Sequence, residues 1–218
     1  MSGTAPSAPW PRGVLAAVPT PFDRQGALAA VALGPLLDDV AARGGHGVLL
    51  AGTTGEGPSL GYDERLALLR AAAAWRAARP AGAAPFAILC GSGHPAWPEA
   101  AQATAGVMAA GADAAVVLPP YYFKGVSPTG LYDWFRRVVD GAADRLARRA
   151  ADDAGDGPPT PTPWLRVLAY DIPRFTGVPI PTAVLRRLAD HYGPAGPVVG
   201  LKDSVGYLAL TRERIAAL

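Results

Sequence analysis

The chain has 218 residues, of which 50% are hydrophobic and 17% charged, with 20 basic against 18 acidic side chains. This length permits one domain of roughly 200–250 residues with a buried core, and the composition excludes a disordered chain. The near balance of charge gives no basis for nucleic-acid binding, and no apolar run reaches the ~20 residues that span a bilayer. We therefore expect a soluble, cytoplasmic protein without a signal peptide that binds neither nucleic acid nor membrane. The single Cys90 cannot form an internal disulfide, which fits a reducing compartment.

Short apolar runs alternate with amphipathic stretches along most of the chain. Residues 1–12 contain three prolines and no hydrophobic periodicity, so they are predicted to form a loose tail. The predicted strands are 13–18, 47–51, 85–90, 114–118, 165–170 and 198–201. The predicted helices are 27–43, 63–79, 98–110, 128–149, 181–191 and 207 to the end. Because the apolar runs are continuous rather than alternating, we expect parallel strands that are buried on both faces.

The spacing of the strands indicates repeated βα units. Strand starts follow one another at roughly 30–40 residues, with one interval of about 50 that contains a Gly/Pro/Asp/Thr-rich segment. We predict an inserted surface loop at about 150–163. A dinucleotide-binding sheet would show G-x-G-x-x-G after its first strand, whereas Pro19-Thr20-Pro21-Phe22 stands there. The sequence therefore favours an α/β fold of the TIM (β/α)8 barrel type over residues 13–218, with only about six βα units.

Polar and reactive residues follow the carboxyl ends of several predicted strands, as in barrel active sites. Lys202 follows an apolar strand and could act as an amine nucleophile toward a carbonyl carbon, or could pair with Asp203 at the barrel rim. Tyr170 ends the preceding strand and could shuttle protons near that amine, or could only pack there.

A turn of small residues follows the second strand, at Ala51-Gly52-Thr53-Thr54-Gly55-Glu56-Gly57. Its glycines let the backbone approach a ligand, and its hydroxyls and amides can hold a carboxylate. The three histidines are scattered without metal-ligand spacing, so no metal site is expected.

Four segments, taken together and in order, carry a family resemblance that spans about residues 13 to 206. They are Gly52-Thr53-Thr54-Gly55-Glu56, Pro120-Tyr121-Tyr122, Tyr170-Asp171-Ile172-Pro173-Arg174-Phe175-Thr176-Gly177 and Gly200-Leu201-Lys202-Asp203-Ser204. The chain thus resembles the dihydrodipicolinate synthase/N-acetylneuraminate lyase family of class I, Schiff-base aldolases.

The resemblance implies a role for each matching residue. Lys202 would form the imine with pyruvate or a 2-keto acid, and Tyr170 would shuttle protons. Thr53 would relay protons from Tyr170, and Tyr122 would complete the relay from a neighbouring subunit, so that a homo-oligomer, a dimer or a tetramer, is implied. Thr54, next to Gly52 in the substrate-binding turn, would hold the keto-acid carboxylate. No metal or organic cofactor is implied.

Substrate choice depends on a departure from the family pattern. Dihydrodipicolinate synthases usually carry an arginine two residues after the motif proline, to hold the carboxylate of the aldehyde substrate. Here Phe175 stands at that position and the arginine comes one residue earlier, as Arg174, and both are candidate substrate-binding residues. We therefore favour a lyase or aldolase of a 2-keto-3-deoxy acid, with 4-hydroxy-tetrahydrodipicolinate synthase as the alternative substrate assignment.

A third interpretation belongs to another class, a catalytically defective barrel fragment. Without the tail and the inserted loop, about 186 residues remain, enough for six units of ~31, whereas eight need ~250. The expectation is therefore a chain that is truncated at its carboxyl end relative to the family.

Overall fold

The computed structural model describes residues 12–154 and 164–218, in which strands and helices alternate. The strands are β1 (Leu15–Ala17), β2 (Gly47–Leu50), β3 (Ala87–Gly91), β4 (Ala114–Val117), β5 (Val167–Asp171) and β6 (Val198–Asp203). The α-helices are α1 (Leu33–Ala42), α2 (Tyr62–Ala77), α3 (Trp97–Ala109), α4 (Pro128–Ala154), α5 (Pro173–Thr176), α6 (Thr182–Tyr192) and α7 (Leu208–Ala217). The chain divides into two compact units, the first up to Ser92 with Gly106–Ala115 and the second Gly93–Ala105 with Val116–Leu218.

In the first unit, the strand order is β1-β2-β3 followed by the start of β4. The β1–β2 and β2–β3 pairs are parallel, with Leu15 opposite Gly47 and Gly47 opposite Ala87. Every residue of β2 and β3 is buried, as expected for parallel strands that are covered on both faces. The leucines Leu66 and Leu69 place the apolar stripe of α2 in this core.

In the second unit, the end of β4 is followed by β5 and β6. All of β5 is buried, whereas β6 is partly exposed. The β5–β6 pair is parallel, with a register shift after Val167 and then regular pairing up to Asp171 opposite Asp203. The shift leaves Val199 without a partner, because Val167 pairs with Val198 and Leu168 with Gly200.

All six predicted strands are present, and the differences lie in the helices. The predicted first helix, 27–43, is wrong in its first turn, because residues 30–32 form a 3-10 turn and α1 begins only at Leu33, close to Pro35. The short α5 lies where the sequence predicted no helix, at a Pro-initiated turn too short to show periodicity. Helix α4 continues to Ala154, so the first five residues of the predicted loop at 150–163 are helical.

Two further predictions fall largely or wholly outside the described residues. They are the rest of the inserted loop, residues 155–163, and the tail, residues 1–12, of which only Arg12 is described. The assignment of 13–218 to one barrel domain stays a prediction. Across residues 12–154 and 164–218, none of the helices is both long and apolar enough to cross a membrane.

Candidate active site

The register of β5 and β6 brings Tyr170 and Lys202 together. The two residues are direct partners across the strand pair, and each is the last but one of its strand. The Lys202 amine lies 3.7 Å from the centre of the Tyr170 ring and donates a hydrogen bond to the Ser204 hydroxyl at 3.0 Å. Tyr170 is only 4% exposed, so the amine lies against a largely desolvated phenol ring at the carboxyl end of the two strands.

The alternative pairing of Lys202 with Asp203 does not occur. Asp203 accepts hydrogen bonds from Arg214 at 3.0 Å, from Thr211 at 3.2 Å and from the Val205 amide at 2.9 Å. Since neighbouring residues of a strand point to opposite faces, Asp203 turns away from the face that carries Lys202. The Lys202 amine therefore contacts the Tyr170 ring and the Ser204 hydroxyl instead of the Asp203 carboxylate.

Asp171 and Asp203 directly follow the two paired residues and share one guanidinium. Arg214 of α7 donates to Asp171 at 2.6 Å and to Asp203 at 3.0 Å, and it also donates to the Ile180 carbonyl at 2.7 Å. The second oxygen of Asp171 accepts the Ile180 amide at 3.1 Å. We call Arg214, Asp171 and Asp203 the β5–β6 clamp.

The two carboxylates of this clamp have opposite pKa shifts. Burial raises the pKa of Asp171 above its ordinary value, and the hydrogen bonds from Arg214 and Ile180 only partly offset it. Burial also acts to raise the pKa of Asp203, but the Val205 amide and Arg214 outweigh it and leave that pKa below the ordinary value. The difference arises because Asp171 is fully buried and Asp203 is partly exposed.

The small-residue turn after β2 lies in the first unit and is backbone-strained. Ala51 and Glu56 both adopt left-handed backbone conformations, with φ of 49° and 53°. A Cβ added at either Gly57 or Gly91 would overlap the Ala51 carbonyl, so these two positions require glycine. Strain in a non-glycine residue persists only where the surroundings enforce it, and it is frequent at ligand-binding turns.

A buried arginine holds this turn in place. Arg65, at the start of α2, is 6% exposed and donates to the carbonyls of Gly57 at 2.7 Å, Leu60 at 3.4 Å and Gly91. Sequence reasoning missed it, although an arginine directly beside the apolar stripe of a helix was a visible signal. Within the turn, Thr53 is half-buried and Thr54 is exposed, so the Thr54 hydroxyl is accessible to a ligand. Gly52 is buried.

The remaining predicted site residues lie on the surface of the second unit. Tyr122 is 73% exposed and packs edge-on against the ring of Phe123 at 5.1 Å. Phe175 is 63% exposed, and the Arg174 guanidinium lies 5.7 Å from the centre of its ring. Sequence reasoning also missed Lys124, whose amine donates to the Thr176 carbonyl at 2.6 Å and to the Tyr121 carbonyl.

Neither the single cysteine nor a metal site offers an alternative reactive centre among the described residues. Burial raises the pKa of Cys90 to about 12, so its thiol carries no useful thiolate fraction at neutral pH. In the part of the chain that the structure describes, no three His, Cys, Asp or Glu side chains are grouped as a metal site.

Comparison with known proteins identifies a matching family and relatives. Residues 10–146 match the model of the dihydrodipicolinate synthetase family. A Synechococcus sp. (strain CC9605) protein named 4-hydroxy-tetrahydrodipicolinate synthase is 34% identical over 219 residues, covering 100% of this chain and 61% of that protein. An uncharacterised DapA-like lyase of Chloroflexus aurantiacus is 33% identical, covering 90% of this chain and 56% of that protein. This chain spans about three fifths of the length of such relatives.

Solved structures show the same fold. Dihydrodipicolinate synthase of Agrobacterium tumefaciens matches with a TM-score of 0.72 and 33% identity over 93% of this chain and 61% of that one. The prophage protein YagE of E. coli K12, solved in complex with pyruvate, matches with a TM-score of 0.74 and 28% identity over 94% and 58%. These matches confirm the predicted α/β fold of the barrel type, here with six strands in the part of the chain that the structure describes.

Proposed function

The chain belongs to the dihydrodipicolinate synthetase family, and from this premise we propose that it acts as a Schiff-base-forming lyase on pyruvate or a 2-keto-3-deoxy acid through Lys202. The resemblance read from four sequence motifs is confirmed by the family match. The observation that supports the proposed chemistry is the Lys202 amine 3.7 Å from the Tyr170 ring centre at the carboxyl end of β5 and β6. An amine and a phenol at one point supply a nucleophile and a proton shuttle for carbonyl chemistry.

The proposed reaction begins when the neutral Lys202 amine attacks the keto carbon of the substrate. Tyr170 gives its phenol proton to the carbinolamine hydroxyl, which leaves as water, so that an iminium ion and a Tyr170 phenolate are formed. In the cleavage direction, Tyr170 accepts the proton of the C4 hydroxyl, the C3–C4 bond breaks to release an aldehyde, and its electron pair forms the enamine of pyruvate. Protonation at C3 and hydrolysis then free pyruvate and the amine. In synthesis the same steps run backward from the pyruvate enamine.

The two lysines of the chain differ in a way that supports this assignment. Lys124 and Lys202 are the only lysines in the sequence. The Lys124 amine donates to two backbone carbonyls, whereas the Lys202 amine lies against a phenol ring and donates to a hydroxyl. Lys202 is therefore the lysine that lies beside a phenol able to transfer protons.

The roles of the other matching residues remain part of the proposal. Thr53 would relay protons, Thr54 would bind the substrate carboxylate through its hydroxyl and amide with Gly52 beside it, and Tyr122 would act from a neighbouring subunit of a homodimer or tetramer. The exposure of Thr54 and Tyr122 is compatible with these roles. No metal or organic cofactor is needed, because the iminium itself accepts the electron pair, and a cytoplasmic location is proposed with it.

We propose a preferred substrate class and a second candidate reaction. The Arg174 guanidinium packs against exposed Phe175, so the family's carboxylate-binding arginine is replaced by an aromatic ring, which favours a 2-keto-3-deoxy acid. The second candidate is condensation of pyruvate with aspartate semialdehyde, favoured because several relatives are named 4-hydroxy-tetrahydrodipicolinate synthase.

The proposal is tested by reducing the imine. Pyruvate and sodium borohydride should add a carboxyethyl group to Lys202, found by peptide mass mapping, because hydride transfer to the iminium carbon makes the bond permanent. Lys124→Arg is the matched control and should be labelled like the wild type, whereas Lys202→Arg should not. A folded wild-type protein without a Lys202 adduct would overturn the proposal and favour a catalytically defective barrel.

The substrate order is tested by two turnover assays on the same protein. Release of pyruvate from 2-keto-3-deoxygluconate should exceed condensation of pyruvate with aspartate semialdehyde. Turnover in the second assay alone would reverse the order. Arg174→Ala should leave KM for the sugar acid within about twofold, because Arg174 contacts Phe175 on the surface.

A further inference from the structure

We infer that Arg214 is a positioning residue for the proposed reaction, because the β5–β6 clamp fixes the register that places the Lys202 amine over Tyr170. The inference rests on the proposed function of Lys202 and adds to it a residue on α7, outside the two strands that carry the paired side chains. Three observations support it. The register of the β5–β6 pair is shifted, Asp171 and Asp203 share the guanidinium of Arg214, and β6 is partly exposed.

The first observation is the register shift within the β5–β6 pair. Val167 is paired with Val198, but Leu168 is paired with Gly200, so one residue of β6 is looped out before the reactive end. A slip of one residue in a strand turns every side chain to the opposite face. The reactive end of β6 lies beyond this irregularity, so the Val167–Val198 pair does not fix its register.

The second observation is that the clamp acts directly beyond the reactive pair. Asp171 and Asp203 face each other one residue after Tyr170 and Lys202, and Arg214 bonds both carboxylates with two different nitrogens. The Asp171 carbonyl also accepts the Ser204 amide at 2.9 Å. A guanidinium presents a rigid, planar fork, so it sets the spacing of the two carboxylates as well as neutralising them.

The third observation is that β6 is less buried than the strand with which it pairs. Its middle residues are exposed, with Val199 at 37%, whereas β5 is buried throughout. Arg214 is 3% exposed and also bonds the Ile180 carbonyl, so the guanidinium is anchored in the buried part of the second unit. The clamp therefore ties a partly exposed strand to a buried one at the end where the amine must be placed.

The expected size of the effect follows from the precision that catalysis needs. Displacing a reacting group by about 1 Å can cost 10²-fold in rate. Without the guanidinium, two carboxylates would face each other at low exposure, and their repulsion would separate the ends of β5 and β6.

The experiment compares single-turnover borohydride trapping of pyruvate in Arg214→Gln, Arg214→Lys and wild type, at equal folded fraction. We expect the trapping rate at saturating pyruvate to fall at least tenfold in Arg214→Gln, with a smaller change in the half-saturating pyruvate concentration. Arg214→Lys should recover part of the rate, because one ammonium can bond one carboxylate. The matched control is Arg76→Gln, which breaks an arginine–aspartate pair in the first unit and should trap within about twofold of wild type.

Three outcomes contradict the inference, and a fourth concerns the proposed function instead. A wild-type saturating rate in Arg214→Gln, or an equal loss in Arg76→Gln, contradicts a positioning role. Should Arg214→Gln fail to fold, Asp203→Ala replaces it, because alanine removes the acceptor for one of the two bonds from the guanidinium while the buried Arg214–Asp171 bond remains. Trapping at the wild-type rate there also contradicts the inference. Absence of trapping in the wild type overturns the proposed function instead.

Discussion

Each unit of the chain contains an arginine–aspartate cluster, and the two act at opposite ends of their strands. In the first unit, Arg76 pairs with Asp113 at 2.6 Å, and the same carboxylate accepts the amide of Ile88 at 2.7 Å. Asp113 directly precedes β4 and Ile88 is the second residue of β3, so this cluster lies at the amino ends of the strands. In the second unit, the β5–β6 clamp lies at the carboxyl ends.

The difference between the clusters follows what each end of a barrel sheet does. Amino ends are built for stability, and carboxyl ends carry the reacting groups. Arg76 and Asp113 are each about one third exposed, and Arg76 pairs with one carboxylate. Arg214 is almost fully buried and pairs with two carboxylates. The second arrangement costs more desolvation, which is explained if it positions Lys202 as well as stabilising the fold.

The largest expected effect comes from removing the phenol hydroxyl at the reactive end. Tyr170→Phe should lower turnover of the preferred substrate by ~10²–10⁴-fold, the usual contribution of a proton-transferring side chain. The ring that packs against Lys202 is retained, so the variant should remain folded. Steady-state kinetics and thermal unfolding measure the two quantities. Turnover within a factor of three of wild type would mean that Tyr170 only packs.

Breaking the buried clamp should have the next largest effect, on stability. Arg214→Met leaves two carboxylates without their cation, and we expect the free energy of unfolding to fall by ~3–5 kcal/mol. Urea denaturation measures it. The triple variant with Asp171→Asn and Asp203→Asn should recover much of the loss, because no unpaired buried charge remains. A loss below about 1 kcal/mol in the single variant would show that the clamp is weak.

The arginine–aspartate cluster of the first unit should contribute less to the free energy of unfolding than the β5–β6 clamp. Asp113→Ala deprives the Ile88 amide of its acceptor and should cost ~1–3 kcal/mol, whereas Asp113→Asn keeps an acceptor there and should cost under ~1 kcal/mol. Both are measured by urea denaturation. Pyruvate trapping should be unchanged in both at equal folded fraction. A tenfold loss of trapping in Asp113→Asn would remove the functional contrast between the two clusters.

The smallest effect concerns acid stability. Because the pKa of Asp203 is lower in the folded state than its ordinary value, the unfolded state takes up the proton first as the pH falls. This contribution is complete above pH ~4 and is lost as the pH falls toward the folded-state pKa. Asp203→Asn should therefore show a shallower decline of unfolding free energy below pH ~4, by at most one proton. If the unfolding free energy of Asp203→Asn falls as steeply as that of the wild type, or more steeply, the hydrogen bonds of Asp203 do not lower its pKa in the folded state.

The sequence predicted more of the fold than of the site's supports. Continuous apolar runs located all six strands, because burial on both faces leaves a direct trace in composition. The motif positions of Tyr170 and Lys202 also predicted a pair that the register brings together. The short α5 was missed because four residues are too few to show helical periodicity.

The partners of the supporting arginines could not be read from the sequence. Arg65 lies beside its helix's apolar stripe, and Arg214 lies eleven positions after Asp203, with nothing local to say which carbonyl or carboxylate each one meets. Their partners are chosen by tertiary packing. The register shift in β6, which makes the clamp important, likewise depends on pairing with β5 rather than on the local sequence.

Exchange of the C3 protons of pyruvate in D₂O tests the central claim most directly. The enamine forms only after the Lys202 amine has made an iminium, and its reprotonation by solvent replaces C3 protons with deuterium, whichever aldehyde the enzyme uses. Proton NMR should show rapid loss of the pyruvate methyl signal with the wild type and with Lys124→Arg, and the uncatalysed rate with Lys202→Arg. Exchange that persists in Lys202→Arg, or that is absent from the folded wild type, would contradict the account.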